Sequence, residues 1–162
     1  GSEMCIRDRY DIAEVDLRRH EDLEGIRRSA RQVEVLLQRE RERGIAADRT
    51  VLAGFSQGGA VALFAGLRHE HPLAGICALS CYLPGEDSLD GEAAAANGRT
   101  PVFAAHGRFD PIVPLQRGEA MAESLRGRGH DLEWRVYPMA HQVCAEEIDA
   151  LGEWLNRVLA TD

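Results

Sequence analysis

The chain contains no lysine: all 19 of its basic residues are arginine, against 27 aspartates and glutamates. The formal net charge is −8, so no cationic surplus exists to displace counterions from a phosphate backbone, which argues against a nucleic-acid partner. The missing lysine reads as the coding bias of a GC-rich source and carries no mechanism. Long apolar runs are missing too. None reaches the roughly 18–20 residues that span a bilayer, and the first residues lack the basic–apolar–small order of a secretory signal. Cysteine is sparse, with Cys5, Cys77, Cys81 and Cys144 forming no Cys-x-x-Cys pair. That disfavours a zinc or redox site and suits reduced thiols in a cytoplasmic protein, although spacing alone leaves a Cys77–Cys81 disulfide open. Internal repeats and low-complexity linkers are also lacking.

What is present is 162 residues, 44% apolar and 28% charged, enough for one soluble globular domain with a real core. Leu23, Ile26, Ala30, Val33 and Leu37 recur at three- and four-residue steps. This helical stripe runs into the solvated charge run 39–43 and stops at Gly44. Residues 49–55 read as a buried strand and 58–67 as a helix packed behind it. The pattern repeats with a strand over 73–79, an irregular stretch over 82–99 and a third strand over 100–106. A helix over 115–125, a strand over 132–137 and a last helix over 145–159 complete it. Alternating strands and helices predict an α/β fold, a mainly parallel sheet with helices on both faces.

The segment Gly54-Phe55-Ser56-Gln57-Gly58-Gly59 sits where the first strand turns into a helix. A Gly-x-Ser-x-Gly in that context is the pattern of a nucleophile elbow, a tight turn that holds the serine hydroxyl above the sheet edge. Gly54 and Gly58 are expected where side chains would collide with the crossing strand and helix, and Gly59 where helix and sheet approach closely. Alone, the motif is also an ordinary strand–turn–helix corner in a glycine-rich chain. A serine nucleophile needs a base, and the base needs a carboxylate to hold its tautomer. Asp110 follows the third strand, in a loop that Pro111 and Pro114 stiffen, and His141 follows the fourth strand. Nucleophile, acid and histidine thus appear in the α/β order, each at the carboxyl edge of the sheet, where α/β sites gather.

Other residues compete for these roles. His106 precedes Asp110 and suits a structural hydrogen bond at a strand end. Glu86 and Asp87 could reach the site from their loop but read as solvated surface. His69 and His71 are two apart and cannot share a helical face, which disfavours a metal site. Cys144 lies near His141 without an elbow around it and reads as a packed thiol. The backbone N–H of Gln57, the residue after the serine, is the expected oxyanion donor. No early loop upstream of Ser56 offers a second.

Taken together, the Ser56 segment, Leu79-Ser80-Cys81-Tyr82-Leu83-Pro84, the run from His106 to Pro114, and the run from Tyr137 to Cys144 resemble the phospholipase/carboxylesterase family. Its members include bacterial carboxylesterases and acyl-protein thioesterases. The resemblance runs from about Tyr10 to the C-terminus. It implies an α/β-hydrolase fold and a Ser56–Asp110–His141 triad. It also implies hydrolysis of ester or thioester acyl groups, on small molecules or acylated proteins, without a cofactor or metal. An acyl groove near Leu83, Ile112, Val113 and Val143 is implied as well.

The front of the chain departs from that pattern. Family members carry early strands and a His-Gly-Leu-Gly-like loop with the second oxyanion donor before the Tyr10 region. Here residues 1–9 read instead as a foreign or unstructured leader, and residues 10–162 as a partial α/β-hydrolase domain lacking the N-terminal strands. The expectation is an exposed apolar edge at the first strand, prone to self-association. A second is impaired activity, since one oxyanion donor is worth on the order of a hundred- to a thousandfold in rate. A non-catalytic module that binds through the same fold is the alternative.

Overall fold

The computed structural model describes the backbone of residues 12–160 and the side chains of residues 22–160. The expected leader, residues 1–9, lies outside the described residues. The elements in order are α1 (Ile12–Glu42), β1 (Val51–Phe55), α2 (Gln57–Arg68), β2 (Gly75–Leu79) and α3 (Glu86–Glu92). There follow β3 (Val102–Gly107), α4 (Leu115–Gly127), β4 (Leu132–Tyr137) and α5 (Ala145–Val158). The four strands form one parallel sheet in the order β1-β2-β3-β4, so every active-edge loop follows the carboxyl end of a strand.

Every residue of β2 and β3 is buried, which is why both read as unbroken apolar runs and not as alternating patterns. Successive side chains still divide between the two faces. Ile76, Ala78, Val102 and Ala104 pack with Leu63, Leu67, Met121 and Leu125 from α2 and α4. Cys77, Leu79, Phe103 and Ala105 pack with Ala150 and Trp154 from α5. Helices therefore cover both faces, as expected. The α1 stripe also faces inward: Ile26 and Ala30 pack on Ala60, Phe64 and Ala65 of α2. Gly44, at φ +94°, lies just beyond its end. Among the described residues β1 pairs only with β2, and its side chains are half-buried or exposed, so it stands at an edge of the sheet.

The stretch over 82–99 is not irregular. It holds α3 and a turn of 3-10 helix at Ala95–Asn97. α3 begins after Gly85 in the left-handed region (φ +63°), has Glu86 and Asp87 in its first turn, and is anchored by one buried apolar side chain, Leu89. Acidic residues at a helix N-terminus are favoured by the dipole, but a single anchor produces no periodicity to detect. In addition, Arg68 donates to Glu92 at 2.8 Å and to the Gly85 carbonyl at 3.1 Å, tying α3 to α2.

Candidate active site

Ser56 adopts φ 58° and ψ −123° between β1 and α2, a backbone conformation that costs a non-glycine residue about 1–3 kcal/mol unless its surroundings enforce it. They do. Its N–H donates to the Leu79 carbonyl at 2.8 Å, and its own carbonyl accepts the N–H groups of Gly59 and Ala60 at 3.0 and 3.1 Å. A Cβ on Gly54 would run into the Gly58 carbonyl, so the turn closes only around glycine there. A Cβ on Gly59 would lie 2.9 Å from both Cys81 Sγ and the Gly54 carbonyl oxygen. Gly58 corrects the expectation: a Cβ there meets nothing within 4 Å, because that position already faces outward from the first turn of α2.

Asp110 lies in the loop after β3 with its side chain fully buried. Pro111 has no N–H, so Asp110 Oδ1 takes the next two, from Ile112 at 2.8 Å and Val113 at 2.9 Å. Oδ2 is left to the histidine. His141 Nδ1 lies 2.7 Å from Asp110 Oδ2, and His141 Nε2 lies 3.0 Å from Ser56 Oγ. A carboxylate on Nδ1 assigns the proton to that nitrogen, which leaves Nε2 as an acceptor for the serine hydroxyl. The fold thus brings together the three residues that chain order paired.

The loops carrying Asp110 and His141 are joined by backbone. Arg108 N–H donates to the Tyr137 carbonyl at 2.8 Å and Phe109 N–H to the Met139 carbonyl at 3.0 Å. Gly107 makes that approach possible, because a Cβ on it would strike the carbonyl oxygens of Met139 and Ala140. His106 is structural, as its position suggested: its buried Nε2 donates to the Val113 carbonyl at 2.7 Å and so closes the aspartate loop.

The remaining candidates fall elsewhere. Glu86 accepts the Ser124 hydroxyl at 2.6 Å, and Asp87 lies in the first turn of α3. His69 is held by Glu34 at 3.0 Å. No group of three or more His, Cys, Asp or Glu side chains among the described residues is arranged to hold a metal ion. Cys77 and Cys81 are free and buried rather than bridged. Burial pushes the Cys77 thiol up to about 12 and the Cys81 thiol higher still, so neither supplies a thiolate near neutrality. Cys144 is half-buried and caps α5.

Gln57 opens α2, where an N–H has no partner within the helix and the dipole is positive. Of the expected groove residues, Ile112 and Val143 are exposed beside Asp110 and His141. Val113 is buried and serves through its backbone. Leu83 instead packs on the core and lines a cavity of about 420 Å³ with Leu23, Ile26, Tyr82 and Arg117, apart from Ser56, Asp110 and His141. Phe55 was not foreseen. Its ring lies 4.9 Å from the His141 ring, at the end of β1. Nothing in the sequence distinguishes it from any variable residue of the elbow motif.

A parallel sheet covered on both faces, with a serine elbow on the first strand and an acid and a histidine on the last two, defines an α/β-hydrolase. Solved structures bear this out. An esterase named PE8 superimposes with a TM-score of 0.81 at 27% identity, covering 94% of this chain and 66% of its own. Zea mays acyl-protein thioesterase 2 does so at 0.73 and 26%, covering 85% and 66%. The phospholipase/carboxylesterase family model matches residues 2–159, and the chain belongs to that family. Acyl-protein thioesterase 1 of Gibberella zeae is 43% identical over 144 residues, spanning 87% of this chain. The Neurospora crassa protein of the same name is 41% identical over 162 residues, spanning 93%. The chain spans 61% and 64% of the length of these two relatives.

Proposed function

We propose that the chain is a serine hydrolase that cleaves ester or thioester acyl groups through an acyl-enzyme. The reading rests on one observation, the continuous path from Ser56 Oγ through His141 to Asp110 at 3.0 and 2.7 Å. Ser56 Oγ attacks the acyl carbonyl as His141 Nε2 takes its proton. Asp110 orients the imidazole and stabilises the imidazolium. The Gln57 N–H donates to the oxyanion. Collapse expels the alcohol or thiol, which receives the proton from His141, and water repeats the sequence on the acyl-serine. Ile112 and Val143 offer apolar surface to the acyl chain. The similarity to acyl-protein thioesterases favours an acylated substrate in the cytoplasm.

The decisive measurement is labelling by a fluorophosphonate, which reports an activated serine without presuming the natural substrate. The parent chain labels, and Ser56→Ala neither labels nor hydrolyses aryl esters, with kcat lower on the order of a millionfold. Labelling that survives in Ser56→Ala overturns the assignment. We also read the apolar edge of β1 as a pairing surface between copies of the chain. Sedimentation then finds dimers or larger species, and a monodisperse monomer removes that reading.

A further inference from the structure

Phe55 and Ser56 are neighbours in the chain, and both reach His141. Ser56 Oγ lies 3.0 Å from His141 Nε2, and the Phe55 ring centroid lies 4.9 Å from that of the imidazole, the two planes inclined at 47°. The sheet holds Phe55 in place. It pairs in register with Leu79 of β2, and the Ser56 N–H that follows it donates to the Leu79 carbonyl at 2.8 Å. Yet its side chain is 38% exposed and joins none of the core clusters among the described residues. Core packing therefore does not account for a large apolar ring at this position.

Other restraints act on His141. Gln142 N–H donates to the Ala140 carbonyl at 3.1 Å, so the backbone of His141 sits at the apex of a tight turn. Asp110 Oδ2 lies 2.7 Å from Nδ1, and Ser56 Oγ faces Nε2. Imidazole nitrogens donate and accept in the plane of their ring. These two bonds thus fix the edge of His141 and resist a tilt of its plane only weakly. A packed neighbour opposes such a tilt directly, and Phe55 is the aromatic ring in contact with it.

We propose that Phe55 is a positioning residue for the hydrolysis described above. Its ring walls one side of His141, keeping Nε2 in line with Ser56 Oγ, and stabilises the imidazolium that forms as the serine proton is taken. The inference rests on the serine-hydrolase reading. An aromatic ring within about 6 Å of a cation attracts it through its quadrupole. That attraction grows as the histidine gains charge, so it is stronger in the transition state than at rest, which is what accelerates a chemical step. Asp110 supplies the opposite charge at Nδ1, and the Phe55 ring adds to it without competing for either nitrogen. Because Phe55 and Ser56 are consecutive, wall and nucleophile move together with the end of β1, whereas His141 comes from a separate loop.

The test compares fluorophosphonate labelling of the parent chain with that of Phe55→Leu, Phe55→Met and Phe55→Tyr, separating the labelling rate from the fraction labelled at completion. Leucine and methionine keep an apolar side chain without the ring, and tyrosine keeps the ring. A residue needed only for folding lowers the fraction, whereas a positioning residue lowers the rate at each competent serine. Phe55→Leu and Phe55→Met should label about three- to tenfold more slowly, and Phe55→Tyr should stay close to the parent rate. On an aryl ester the two ringless variants should lose kcat at unchanged KM, since the ring acts on the base and not on the substrate. An unchanged labelling rate in either ringless variant, a Phe55→Tyr as slow as Phe55→Leu, or a loss confined to KM overturns the proposal. A parent chain that never labels sinks the hydrolase reading and this one with it, and is distinguished by failing before any substitution is made.

Discussion

Ser56 and His141 meet at 3.0 Å, yet what holds each in place differs in kind. Around Ser56 most of the support is local: a positive φ, two N–H bonds back to its own carbonyl, and Gly54 fitted against Gly58 within five residues of chain. Asp110 also has local support, from the Ile112 and Val113 N–H groups, but that does not bring it to His141. Two loops from different strands are joined through Arg108, Phe109 and Gly107, and His106 closes one of them from the sheet. The turn at Ser56 is therefore a motif, whereas the Asp110–His141 pair is a product of assembly. The first fails when one small residue is enlarged, and the second fails when two loops separate.

Substitutions can break these two regions independently. After Ser56→Ala, the largest effect is expected for Asp110→Asn, which preserves shape but offers His141 the wrong partner atom. Its kcat on an aryl ester should fall about ten-thousandfold while the melting temperature barely moves. A fall of less than tenfold would remove Asp110 from the mechanism. Gly54→Ala drives a methyl into the Gly58 carbonyl, where both partners are backbone and neither gives way easily. It should cost about 3 kcal/mol or more, read as a lower melting temperature and a lost labelling endpoint. A Gly54→Ala chain that melts like the parent would mean the elbow is not closed as described.

Gly107→Ala attacks the other region. Its methyl meets the Met139 and Ala140 carbonyls and forces the aspartate and histidine loops apart. The labelling rate should drop about ten- to a hundredfold, since misplacement by an ångström is enough, while the Ser56 turn remains intact. The smallest effect belongs to Gly58→Ala. Its methyl enters open space on a helical residue, so stability should hold or rise by up to about 1 kcal/mol in a thermal melt. Destabilisation there would return Gly58 to the role that the motif alone suggested.

The strands were legible because burial writes itself as apolar runs, and 132–137 coincides with the observed β4. α3 was not, because one buried leucine in a short acidic helix leaves no period. Chain order selected Asp110 over Glu86 and His141 over His106, and geometry joins His141 to both Ser56 and Asp110, whereas Glu86 accepts from Ser124 and His106 donates to the Val113 carbonyl. The groove was less legible. Val113 and Leu83 look alike in sequence to the exposed Ile112 and Val143, and only packing decides which side chains face outward.

By itself the sequence determined the family, the parallel layering and the order of Ser56, Asp110 and His141 at the strand ends. These depend on local pattern and on which residues end strands. The tertiary structure decided which glycines the site requires, that Phe55 lies against His141, and that Glu147 is buried in the first turn of α5. Each of these depends on which atoms of distant segments come within van der Waals or hydrogen-bond reach. No spacing along one chain encodes that distance.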